Sequence, residues 1–180
     1  MKKLLAAAFL AFFVLPAVAQ VAGTGPYLGG GLGQAHFSNV CGSAVVECKD
    51  RDTAWNVFAG WQLMRYLGVE AGIGEFGHIT IDGANAKANA IELDAVGTLP
   101  LFSRFSLIGR VGAFHADMHA EGSADRKNGG TAGLGVEWAP DPMVGIRLEW
   151  QRYPGLGGDL PGGTKTNIDV TRLAALIRFR

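Results

Sequence analysis

The chain holds 180 residues with 16 basic and 16 acidic side chains, and this formal net charge of zero removes any electrostatic case for a nucleic-acid partner. Hydrophobic residues make up 48%, yet past the N-terminus no uncharged apolar run is long enough for a spanning helix, so the apolar positions must be dispersed along the chain. The 27 glycines lack the strict triplet of collagen and have to be explained by position.

"MKKLLAAAFLAFFVLPAVAQ" sets two lysines before an apolar run from Leu4 to Leu15 and ends in the small-x-small pattern Ala17-Val18-Ala19. This arrangement predicts a secretory signal peptide over 1–19, cleaved after Ala19, and leaves 20–180 as one exported domain. In an exported chain the close pair Cys41 and Cys48 is expected to form a small loop-closing disulfide. Without neighbouring histidines the pair is a poor zinc site, and no motif asks for a cofactor.

"GPYLGGGLGQAHFSN" follows. Its glycines resemble a nucleotide-binding fingerprint in composition alone, because no helical pattern opens after them as a βαβ unit requires. A period-two reading instead makes it the first of eight strand-length segments: 26–36, 53–63, 67–77, 89–99, 104–114, 131–139, 143–153 and 169–179. Connections alternate between the short 64–66, 100–103 and 140–142 and the longer, polar or glycine-rich 37–52, 78–88, 115–130 and 154–168.

Each segment has two unlike faces. In the first, Leu28 and Leu32 oppose Gly29, Gly31 and Gly33. In the second, Trp55, Val57, Ala59, Trp61 and Leu63 oppose Asn56, Phe58, Gly60 and Gln62. The third sets Leu67, Val69, Ala71 and Ile73 against Gly68, Glu70, Gly72 and Gly74, and the fourth sets Ile91, Leu93 and Ala95 against Glu92 and Asp94. The fifth opposes Phe105, Leu107 and Val111 to Ser106 and Arg110. Val144, Ile146, Leu148 and Trp150 of the seventh oppose Gly145, Arg147, Glu149 and Gln151, and the last sets Leu173, Ala175, Ile177 and Phe179 against Arg172 and Arg178.

A soluble lipocalin-like barrel and an eight-stranded antiparallel up-and-down transmembrane β-barrel both use such a pattern, with the faces exchanged. Glycine on the polar faces favours the membrane barrel, whose narrow interior is crowded. Trp55, Trp61, Phe105, Trp138, Trp150 and Phe179 lie on the apolar faces, many toward segment ends, as interfacial girdles require. An arginine facing hydrocarbon at mid-depth costs about 2–4 kcal/mol, so Arg110, Arg147, Arg172 and Arg178 should point inward. There they meet Glu70, Glu92, Asp94, Glu137 and Glu149 in a nearly balanced network that is expected to close the bore.

The segments "YLGGGLG", "FAGWQLMRYLGVEAGIGEFG", "LPLFSRFSLIGRVGAF", "GLGVEWAPDPMVGIRLEWQRY" and "LIRFR" resemble the transmembrane domain of the OmpA-like family of eight-stranded outer-membrane barrels, over nearly the whole chain after the leader. The resemblance implies a structural, non-enzymatic role in the outer membrane of a Gram-negative type cell, with surface interaction through extracellular loops. By position Glu70, Arg110, Glu137 and Arg147 match the family's lumen charges. Gly31 and Val96 stand where a well-known member carries inward lysines, so its ion-pair switch does not transfer. Implied partners are outer-membrane lipids and lipopolysaccharide, surface or host ligands at the loops, and the outer-membrane assembly machinery, which in such barrels reads a C-terminal aromatic; here Phe179 is followed by Arg180.

Two constellations carry other chemistry. "HFSN" is similar to the motif of PagL-type lipid A deacylases, and parity puts His36 and Ser38 on the lipid side near the outer rim, where a histidine could activate the hydroxyl. The enzyme family carries that motif late in its chain, and a serine and histidine at a strand end also serve as loop caps. In "HADMHAEG", an extended strand lines up His115, Asp117, His119 and Glu121 on one side, a donor set that suits zinc or another transition metal. Without a fixed turn or a defined fourth ligand, the pattern reads first as a solvated loop base and no metal is expected.

Overall fold

A computed structural model describes residues 24–38, 48–49, 51–81, 84–120, 123–156 and 166–179. The strands are β1 (Gly25–Ser38), β2 (Cys48–Lys49), β3 (Arg51–Met64), β4 (Leu67–Ile81), β5 (Ala84–Pro100), β6 (Phe105–Ala120), β7 (Ser123–Asp141), β8 (Val144–Leu156) and β9 (Thr166–Arg178). Every pairing is antiparallel, β1 pairs both β3 and β9, and the β4–β5 contact closes the ring. Eight long strands therefore make a closed barrel, and the two-residue β2 pairs with the end of β4 on the edge that β3 uses, in line with β3.

Closure fixes the tilt. The row of paired residues that leaves β1 at Gly25 runs through Gln62, Gly68, Val96, Arg110, Gly133, Gln151 and Val170, and returns to β1 at Ala35, ten positions farther along. For eight strands that stagger corresponds to a tilt of roughly 35–45° and a bore just wide enough for side chains to fill.

The faces fall as alternation requires. Leu32 and Leu93 are 67% and 63% exposed on the outside, whereas Glu70 and Arg147 are each 2% exposed within. Trp61, Phe105, Trp138 and Phe179 ring the turn end of the outer face, and Trp55 and Trp150 mark the upper edge of the apolar band. A soluble barrel would show the reverse arrangement, with its apolar face enclosed.

Inside, aromatic rings lie over glycines of the neighbouring strand. Tyr27 is in register with Gly60, where an added Cβ would stand 2.3 Å from the ring, and Phe114 is in register with Gly129, where it would stand 2.7 Å away. Phe58 and Gly29 repeat the arrangement. Such pairs let a large ring fit a narrow bore and shield the exposed glycine backbone. Gly60→Val should lower stability by about 1–3 kcal/mol through overpacking, seen as an earlier urea midpoint for the barrel folded in vesicles.

Strand lengths correct the sequence reading. The segments 78–88 and 115–130, expected as linkers, are strand on both sides, so that only 82–83 and 121–122 separate β4 from β5 and β6 from β7. Where β6 and β7 are described beyond the apolar band, the outer face carries His115, Asp117, Arg126 and Asn128, so the alternation of apolar with polar is lost there. Cys41 lies outside the described residues, and with it the expected Cys41–Cys48 disulfide, as does the expected signal peptide.

Candidate functional site

The lumen is filled in three levels. At the turn end Tyr27, Phe58, Ala174 and Leu176 cluster, with the Tyr27 and Phe58 rings edge-on at 6.5 Å. Above them lies a polar layer built by β4 through β9. From β1 and β3 it receives the neutral Asn56, and a Cβ at Gly31 or Gly33 would crowd Asn56 and the adjoining Ala174 and Arg172 of β9.

Glu70 holds the centre of that layer. It accepts from both Arg110 and Arg147, and the Tyr27 hydroxyl donates to it at 2.8 Å. Arg147 also donates to Glu137 at 2.7 Å, and Glu137 receives Arg178 from the turn end. Arg110 reaches Glu149 at 3.2 Å and Asp94 at 3.3 Å, and Arg172 donates to Glu149 at 3.1 Å and approaches Glu92 at 3.8 Å. The neutral Gln151 ties the sides together: its amide donates to Glu92 at 3.1 Å and Thr131 at 3.0 Å, while its carbonyl accepts from Arg110 and Arg172. All nine charges named from the sequence are thus in one connected cluster, with Arg178 its most exposed member. Charges withdrawn from water are stable only when each meets an opposite partner, which is the reason the network interlocks this tightly.

The third level, toward the long connections, is apolar and was not anticipated. Phe37, Phe76, Phe114 and Tyr153 meet Ile168, Val170 and several alanines in a buried cluster spanning the bore. Phe76 and Phe114 sit 4.6 and 5.3 Å from the Tyr153 ring. Tyr153 joins two levels, since its hydroxyl donates to Glu92 below. The signal was available in parity: Phe37 continues the inward series of Gly29, Gly31 and Gly33, and Tyr153 that of Arg147, Glu149 and Gln151.

On the outer face His36 and Ser38 sit at the loop end of β1, as parity required. The carboxylate in register with His36 is Asp169, and both of its oxygens accept from Arg152, at 2.7 and 2.9 Å. His115 and Asp117 also face outward. His115 Nδ1 is 2.6 Å from Asn128 Oδ1, and Asp117 accepts from Arg126 at 3.0 Å, so these side chains are engaged across β6 and β7. His119 falls on β6 without a described side chain, Glu121 lies outside the described residues, and among those described no group of three or more metal-ligating side chains is assembled.

Comparison with known proteins agrees with this architecture. Outer membrane protein A of Escherichia fergusonii is 28% identical over 137 residues, covering 68% of this chain and 39% of the relative, so the chain spans well under half of that protein's length. Among solved structures, Neisserial surface protein A superposes with a TM-score of 0.62 at 16% identity, over 86% of this chain and 97% of that one. Ail, the attachment invasion locus protein of Yersinia pestis, solved with the heparin analogue sucrose octasulfate, gives 0.59 at 14% identity, over 87% of this chain and 99% of that one. The OmpA-like transmembrane domain matches residues 22–180, all eight long strands included. The chain therefore belongs to the OmpA-like transmembrane domain family of outer-membrane β-barrels.

Proposed function

We propose that this barrel is a non-enzymatic structural element of the outer membrane, with a lumen closed to solutes and a loop end that makes surface contacts. One observation carries the reading: the bore holds an interlocked ionic layer beneath an apolar layer of four aromatic rings, so a hydrated ion would have to cross both. Ail's complex with a sulfated sugar analogue supports surface-ligand contact at the loop end, and the signal peptide over 1–19 and recognition of Phe179 by the assembly machinery belong to the same reading.

The purified barrel in planar bilayers is expected to give no large, steady currents. Sustained single-channel conductance would overturn the closed lumen. A deletion strain should show envelope leakage for a structural role and reduced adherence for a surface role, and neither defect would remove both assignments.

A further inference from the structure

At its upper end β7 keeps an open edge. It stays paired with β6 as far as Ser123, but β8 accompanies it only up to the Ala132–Arg152 pair. Beyond that pair β8 turns off with β9: Pro154 lacks an N–H, Gly155 is left-handed at φ 73°, and the β8–β9 register shifts between Tyr153 and Leu156. Glycines gauge the gap this opens. A Cβ added at Gly133 or Gly135 would stand 2.7 Å from a β8 carbonyl oxygen, whereas at Gly130 it would meet only Gly112 O of β6, at 3.7 Å, and at Gly155 nothing within 4 Å.

The ladder tells which groups this edge offers. Ala139 N donates to Arg104 O at 2.8 Å, one step below the Phe105–Trp138 pair, and the register from there up to Ser123 never shifts. Odd-numbered residues of β7 therefore bond β6, and even-numbered ones turn their N–H and C=O groups the other way. Above Ala132 the latter are Ala124, Arg126, Asn128 and Gly130, and among the described residues no strand takes them. The edge from Ser123 to Thr131 runs about 30 Å at strand spacing and contains no proline. Ring closure removes such an edge elsewhere; left open, it is a template for pairing.

The side a new strand would occupy is basic. Arg126 keeps 77% of its side chain exposed; its Nε donates to Asp117 on the β6 side, and its terminal nitrogens meet no carboxylate among the described residues. Arg152, half exposed, stands at the foot of the gap, with its partner Asp169 on the far side of β8. A second copy of the barrel in the same membrane does not fit, because its β7 would run in the same sense and cross this one at twice the strand tilt.

We propose that the upper edge of β7 accepts an added strand: an extended segment of a partner protein, antiparallel to β7, bonds Ala124, Arg126, Asn128 and Gly130 through its main chain and sets acidic side chains outward beside Arg126. The inference rests on the reading that the loop end makes surface contacts and names how one of them is made.

The test uses the whole barrel in phosphatidylcholine nanodiscs and a capped peptide of alternating valine and glutamate, as long as the edge, with amide hydrogen exchange followed by NMR. In the barrel alone the amides of Ala124, Arg126, Asn128 and Gly130 should exchange faster than those of Lys127 and Gly129, which bond β6, and saturating peptide should slow them about tenfold or more. Methylating the glutamate amides, which face β7 in this arrangement, should abolish binding; methylating the valine amides, which face away, should not. Lysine in place of glutamate should weaken the peptide about tenfold or more, and Arg126→Glu should reverse that preference. Gly130→Pro, which removes one of the offered N–H groups, should weaken binding, whereas Gly130→Ala should not, with the gel mobility of unheated samples confirming that both fold. Slow exchange at the four amides in the barrel alone would show the edge already covered, by 157–165 or by a second copy, and would overturn the site. Equal binding of the two methylated peptides would do the same. Failure of the peptide with adherence still lost in the deletion strain overturns the edge site alone, whereas peptide binding with undiminished adherence supports the edge and overturns the surface role.

Discussion

Replacing Glu70 by alanine should destabilise the folded barrel by about 3–5 kcal/mol, the magnitude expected when one partner is withdrawn from a buried ionic group. The cost is large because Glu70 serves two guanidinium groups at once. Both its oxygens are occupied, one by Arg110 and one by Arg147, and both arginines are enclosed. Loss of the carboxylate also strands the Tyr27 hydroxyl, whose acceptor it is. Urea unfolding of the barrel in vesicles, followed by the gel mobility of unheated samples, measures the change. Glu70→Ala/Arg110→Ala should lose less than the two single effects combined, because the variants share one contact. Breaking the exposed Arg152–Asp169 pair with Arg152→Ala should leave the unfolding midpoint nearly unchanged, because solvent screens it. A similar small effect at Glu70 would show that water reaches the inner network.

Leu148→Arg should cost about 2–4 kcal/mol in a bilayer, or block insertion, because it sets a guanidinium in hydrocarbon near mid-depth. Leu148 is 58% exposed on the outer wall, beside Leu173 and Val136. Its neighbours on the same strand, Arg147 and Glu149, point the other way and are each 2% exposed. The substitution therefore tests the direction of the whole strand. In a barrel that met water on this face the arginine would be tolerated, and an unchanged unfolding midpoint in vesicles would contradict the membrane placement.

The face of each strand was legible in the sequence because the membrane enforces it over the apolar band. There alternation in "VGIRLEWQ" or "LGVEAGIG" sorts lipid-facing from lumen-facing residues without any knowledge of partners. Beyond that band the constraint disappears. His115, Asp117, Arg126 and Asn128 face water, their inward neighbours Phe114 and Ala116 are apolar, and the pattern reads as a polar linker although the backbone is paired throughout. The aromatic layer was legible by parity, since Phe76, Phe114 and Tyr153 lie on the inward faces of segments 67–77, 104–114 and 143–153 and Phe37 one position past 26–36. What parity does not give is that the four rings meet. Which charges meet was also beyond parity. Glu70 and Arg147 are 77 positions apart, and only the closed ring with its stagger brings them together.

The ring-over-glycine pairs bear on how a correct barrel is distinguished from a shifted one. A slip of one position reverses every side chain and is rejected by the bilayer. A slip of two keeps all sidedness and escapes that check. Tyr27 would then confront Phe58 or Gln62 where it now faces Gly60, and Phe114 would confront Lys127 or Thr131 where it now faces Gly129. Neither replacement leaves room for the ring, so these bare positions act as alignment marks for errors that hydrophobicity alone would pass.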